Sequence, residues 1–245
     1  MALHRHISRL GRSTLGLFFP RVCLACQAPL PDPAEEFCTA CRQELAVFRG
    51  ECCQRCGAPQ TLPGAHGNRC VHCEKLPLNF DVGIAIGSYE GLLRKLVLEA
   101  KEVTGETTAA VLGRMLASTV AERMDAQSID LVTCVPMPWR RRLVRRHNAP
   151  EVIGEVLARQ LAAPFRPRLV RTTRAPHKQS ELAASERRRN VRGAFRVRAD
   201  NRLRGATVAL VDDILTTGAT CSEAAKELKA VGAARVVAVV AARSL

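Results

Sequence analysis

Cysteines 23, 26, 38, 41, 53, 56, 70 and 73 form four Cys-x-x-Cys pairs, with Cys52 as an unpaired neighbour. Two cysteines three apart on a tight turn aim both sulfurs at one ion, and two such pairs complete the tetrahedral thiolate set that Zn²⁺ prefers in structural sites. Pairing in sequence order gives one site from Cys23, Cys26, Cys38 and Cys41 and a second from Cys53, Cys56, Cys70 and Cys73. His66 and His72 are the alternative ligands. The surrounding aromatics, Phe18, Phe19, Phe37, Phe48 and Phe80, are too few for an unaided core. Segments below about 40 residues usually take the missing stability from a metal or disulfides. Disulfides need an oxidising compartment, and a redox dithiol needs only one pair, so two closed structural zinc sites are expected.

The compartment follows from the N-terminus. Residues 1–20 are basic and acid-free, but their apolar run, Leu15–Phe19, is shorter than the roughly 7–15-residue core of a signal peptide. Leu3, Ile7, Leu10 and Leu17 instead recur at helical spacing, as in a short amphipathic helix docked on the protein. No apolar run approaches the roughly 20 residues of a membrane span. A cytoplasmic protein is expected, with a membrane-peripheral helix as the alternative. Charge is unevenly placed: residues 139–204 hold 19 Lys/Arg against five Asp/Glu, a surplus equal to the whole net charge of +14. A confined excess of this kind suits a polyanion such as phosphates or nucleic acid.

From Asp81 the pattern becomes alternating strands and helices. Strands are predicted at Val82–Ser88, Asp130–Val135, Ala194–Val197, Thr207–Val211 and Arg235–Ala241. Helices are predicted at Glu90–Lys101, Glu106–Met124, Asn148–Leu161 and Ala219–Val231. Near-continuous apolar strands between helices imply a mostly parallel, Rossmann-like sheet covered on both faces. Two domains are therefore expected: an N-terminal segment with a double ribbon over 1–80, and an α/β domain over 81–245. Within the latter, an apolar strand leads into Asp212-Asp213, then Ile-Leu-Thr216-Thr217-Gly218-Ala219-Thr220 and a helix. Backbone N–H groups and hydroxyls at a helix start suit a phosphate. Two carboxylates would repel it and so should face ribose hydroxyls. A Walker loop is excluded, since no Gly-Lys-Ser/Thr follows.

Val211–Thr220 resembles the ribose-phosphate motif of type I phosphoribosyltransferases. Nearly the whole chain resembles the competence protein F (ComF/GntX-like) family. The marks are the paired cysteines, Tyr89-Glu-Gly91 with Arg94 and Lys101, Val135-Pro136-Met-Pro138, Gln179 with Leu182, Arg188-Arg-Asn190 and Gly193-Ala-Phe195. The resemblance implies that Asp212 and Asp213 hold ribose hydroxyls and that Thr216, Thr217, Gly218, Ala219 and Thr220 hold the 5′-phosphate. It also implies a pyrophosphate loop after the Asp130–Val135 strand and a flexible lid around 172–189. Arg140, Arg141, Arg142, Arg145 and Arg146 follow that loop and Lys178 lies in that lid, placed to clamp a diphosphate. Thr216 stands where purine-salvage transferases commonly carry an Asp as general base.

A diphosphate does not require 19 cations, and the surplus points to a single-stranded DNA crossing the same face. The expected function is DNA uptake, with a ligand-competent domain for phosphoribosyl pyrophosphate or a nucleotide and a helicase or recombination mediator as partner. The alternative is a Mg²⁺-dependent phosphoribosyltransferase of nucleoside metabolism with no DNA role. The ribbon itself makes a direct prediction. Elemental analysis of metal-replete protein should find two zinc ions per chain, and fewer than one would overturn the ribbon reading.

Overall fold

A computed structural model describes residues 22–32, 34–60, 70–137, 148–174, 184–198 and 200–245. The chain forms two compact units, residues 1–45 and 46–245. The second cysteine tetrad, grouped by sequence with the first, thus shares the larger unit with the α/β domain. The amphipathic segment expected near the N-terminus lies outside the described residues.

In the smaller unit, Cys23 and Cys26 sit on a knuckle closed by a bridge between Val22 and Pro29, and Cys38 caps a short helix α1 (Thr39–Glu44) that carries Cys41. The larger unit is organised by a four-stranded parallel sheet. Its strands are β1 (Val82–Ser88), β2 (Leu131–Cys134), β5 (Thr207–Leu215) and β6 (Arg235–Arg243), in the order β1-β6-β5-β2. β6 is buried from Val236 to Arg243, as expected for an inner strand covered on both faces. Helices α2 (Gly91–Glu99), α3 (Glu106–Arg123), α4 (Ala149–Gln160) and α6 (Ala219–Ala230) follow the expected alternation. A short antiparallel pair, β3 (Val170–Thr172) and β4 (Phe195–Val197), stands apart from the sheet, with α5 (Ala184–Val191) between them in sequence.

Two details place the site. First, β5 does not stop at Val211 as the apolar pattern suggests. β6 runs on beside it and pairs Asp212 with Val240, Ile214 with Ala242 and Leu215 with Arg243. Second, the knuckle of the second tetrad is sewn to β1: Gly83 N–H donates to the Gln54 carbonyl at 3.0 Å. Gly57 adopts a φ of +71°, and a Cβ there would lie 2.9 Å from the Gly83 oxygen, so only glycine admits this approach.

Candidate functional site

Each tetrad is a compact sulfur cluster, its four Sγ atoms lying within 4.8 Å of one another. Sulfur pairs lie 3.7 Å apart for Cys26–Cys38, 3.8 Å for Cys53–Cys73, 3.5 Å for Cys56–Cys70 and 3.9 Å for Cys70–Cys73. A tetrahedron with Zn–S bonds of about 2.3 Å has edges of about 3.8 Å, so the donor set fits zinc. Burial opposes ionisation of Cys23, yet backbone N–H groups of Cys38, Cys26 and Ala25 bring its thiol down to about 6. In the second tetrad burial is likewise outweighed at Cys53 by the N–H groups of Cys56 and Arg55. Burial pushes Cys41, Cys56 and Cys73 the other way. A knuckle that stabilises one thiolate while its partners resist ionisation suits a divalent ion that displaces the remaining protons.

The second site lies at the carboxyl edge of the sheet, where ligands sit in open α/β folds. Asp212 and Asp213 occupy the last turns of β5, and Thr216 and Thr217 follow on an open loop. Gly218, at φ +72°, starts α6 in a left-handed conformation. The structure thus brings Asp212, Asp213 and Thr216–Thr220 together. Thr217 Oγ1 accepts from the Ala219 N–H at 3.4 Å. The first N–H groups of any helix lack intrahelical partners, so this end has donors free to meet an anion. Arg140 and Lys178 lie outside the described residues, as do Arg141, Arg142, Arg145, Arg146 and the centre of the expected lid.

Three features here carried no role in the sequence. Lys101, until now only a family mark, places its Nζ 2.8 Å from Asp213 Oδ2, both side chains largely covered. Arg243, 3% exposed, donates from Nη1 to the carbonyls of Leu215 (2.7 Å), Thr216 and Ser244. A lone charge just past the predicted apolar strand is the signal that could have found it. The segment after the second tetrad also grips α6. Asn79 donates from its backbone N–H (3.0 Å) and Nδ2 (3.0 Å) to Ser222 Oγ, and Ser222 Oγ donates to the Pro77 carbonyl at 3.1 Å. Beside the carboxyl end of β2, a concavity of about 290 Å³ is lined by Pro136, Met137, Arg168, Arg171, Thr172 and Arg174 among others. Arg174 is anchored to the carbonyls of Asn190 and Arg192, while the buried Thr172 hydroxyl has no partner.

The double zinc ribbon domain family matches residues 14–74, and the phosphoribosyl transferase domain family matches residues 150–244. DNA utilization protein YhgH of Salmonella typhimurium is 30% identical over 224 residues, covering 90% of this chain and 96% of that protein. Competence protein F of Haemophilus influenzae is 27% identical over 219 residues, 88% of this chain and 93% of that protein. Adenine phosphoribosyltransferase of Thermoanaerobacter pseudethanolicus is 21% identical over 56% of this chain and 70% of that one, with a TM-score of 0.35, too distant to bear on the site. The chain is a double zinc ribbon joined to a phosphoribosyltransferase-type α/β domain. It belongs to the family of DNA utilization protein YhgH and competence protein F.

Electrostatics at the acid pair lead to a prediction. Burial at the sheet edge, then the neighbouring Asp213 carboxylate, push the Asp212 carboxyl up to about 7, against the pull of the Asp213 N–H and Lys101. An acid whose folded pKa exceeds its unfolded value binds its proton more tightly when folded. Its stabilising contribution is therefore complete at low pH and is lost as pH rises through about 7. Asp212→Asn, a neutral isostere, should raise the melting temperature of the zinc-loaded protein at pH 8. That gain should shrink toward pH 5, and one independent of pH would overturn the assignment.

Proposed function

We propose that this chain serves DNA uptake and utilisation, holding phosphoribosyl pyrophosphate or a nucleotide in the cradle at Asp212–Thr220 and single-stranded DNA along its basic stretch. The observation that carries the reading is the acid pair on β5 leading straight into the Thr216–Thr220 loop at the carboxyl edge of a parallel sheet. Asp212 and Asp213 are both half-buried, with carboxylates suited to ribose hydroxyls, and the loop beyond them offers N–H groups to a 5′-phosphate. Their oxygens are also the hard donors that a Mg²⁺-bound diphosphate tolerates, so the site fits that cation without a dedicated protein cage. The relatives' names, DNA utilization protein and competence protein F, support the biological half of the reading. A cytoplasmic place fits free thiols and phosphoribosyl ligands, and a helicase or recombination mediator is the class of partner that single-stranded DNA would bring.

One observation favours the alternative, a Mg²⁺-dependent phosphoribosyltransferase of nucleoside metabolism. Asp212, pushed up to about 7, is matched to proton transfer near neutral pH in a site where Thr216 offers no carboxylate. Binding without turnover distinguishes the two readings.

The cradle is tested by Asp213→Asn, which keeps size and removes the charge-assisted acceptor. Affinity for phosphoribosyl pyrophosphate with Mg²⁺ should fall about tenfold or more by calorimetry, and an unchanged isotherm would remove the assignment. The DNA reading is tested by salt. Binding of single-stranded DNA should weaken with a log–log slope of about −0.7 per phosphate contacted. Replacing Arg140, Arg141 and Arg142 by Ala should flatten that slope and weaken different sequences about equally. No binding at low salt would leave the basic stretch a solvated surface.

A further inference from the structure

Arg243 is the one charged side chain in the buried set of the described residues, with 3% exposure. None of the ion pairs among the described residues includes it. Its Nε is buried without a hydrogen-bond partner, and Nη1 serves only the carbonyls of Leu215, Thr216 and Ser244. Carbonyl dipoles offset a guanidinium only in part, and an ion held in the interior without an opposite charge carries a penalty of several kcal/mol. The fold nevertheless keeps this charge at the end of β6, directly beneath the first residues of the Thr216–Thr220 loop.

The peptide geometry tells what the charge acts on. In a trans peptide the C=O and the following N–H point in opposite directions. Arg243 holds the Leu215 and Thr216 oxygens, so the N–H groups of Thr216 and Thr217 are directed away from it, on the loop's other side. Hydrogen bonds in series polarise one another in a low-dielectric interior. The positive charge is thereby relayed through two peptide units to the side where an anion would lie. This also meets the difficulty of seating a phosphate within a few residues of two carboxylates. Lys101 offsets Asp213, and Asp212 holds a proton up to about pH 7.

We propose that Arg243 is a positioning residue and the buried countercharge of the phosphate loop, tuned to a dianionic phosphate monoester. The inference rests on reading Thr216–Thr220 as a phosphate cradle, and the test separates the two. Full-length, zinc-replete protein is titrated at fixed pH 7.5 with ribose 5-phosphate, a dianion there since its second pKa is about 6, and with its O-methyl phosphodiester, a monoanion. Each arm is repeated in an Asp212→Asn background, which takes the titration of Asp212 out of the comparison, and Asp213, Lys101 and Cys221 are common to every arm. Wild type should prefer the dianion. Arg243→Gln should lose about tenfold or more toward ribose 5-phosphate and much less toward the diester, so the preference collapses. Should the Gln variant fail to fold, Arg243→Lys carries the test. It keeps the charge and loses the fork, so it should retain the preference at lower thermal stability. A folded Gln variant with the wild-type preference, or a folded Lys variant without it, overturns the proposal. Wild type that binds neither ligand overturns the cradle itself, and the proposal with it.

Discussion

The continued pairing of β5 with β6 past the apolar core is the interaction on which the site depends. Beyond the last residue of the apolar run Thr207–Val211, the ladder continues through Asp212 to Leu215 opposite Arg243. The acids are consequently held at fixed positions in a sheet rather than on a loop. Asp212 is brought beside Cys221 of α6, whose thiol lies 3.7 Å from its Oδ2. Burial, then that carboxylate, keep the thiol protonated well beyond its ordinary range. The loop after Leu215 then has only to turn once before α6 begins at Gly218.

What holds that turn from the other side is the second cysteine tetrad. Arg55, inside the Cys53–Cys56 knuckle, donates to the Leu78 carbonyl at 2.9 Å, and the next residue, Asn79, grips Ser222 in the first turns of α6. Gly218 packs so closely on this segment that a Cβ would meet Leu78 at 2.9 Å. Cys53, Cys56 and Cys73 accordingly belong to one buried cluster with Leu215, Ala219 and Cys221. The metal site thus works as a buttress: the tetrad fixes the knuckle, the knuckle fixes residues 77–80, and these press on Gly218 at the start of α6. A ribbon so placed contributes its zinc-derived stability to the α/β domain as well as to itself.

Much of this was legible in the sequence because the signals were local. The Cys-x-x-Cys spacing predicts both tetrads, and the period of apolar residues predicts β1 residue for residue and α3 to within one residue. The turn chemistry of Thr-Thr-Gly-Ala-Thr predicts the loop that opens α6. What escaped was set by partners far away in the chain. β5 outruns its hydrophobic pattern because β6 pays out a matching edge. β3, at three residues, is too short for any period to register, and it exists because Phe195–Val197 pairs with it. Lys101, a family mark without a role, and Asn79 gain their partners only when folding brings them to Asp213 and Ser222, more than 100 positions away.

Charge in this protein is unevenly placed along the chain. Beside the Thr216–Thr220 segment Asp213 is paired with Lys101, while Arg243, among the described residues, meets only backbone carbonyls. The surplus of 14 positive charges lies instead in residues 139–204, whose described part supplies Arg168, Arg171 and Arg174 around the concavity beside β2. Those arginines, each exposed, follow one another at every third residue around the buried Leu169 and Val170, and an exposed cation contributes to long-range attraction more than to fold stability. The two settings differ physically: charged groups held locally at the end of β5, and a confined excess of cations in residues 139–204, whose attraction for any polyanion would be long-range and salt-sensitive.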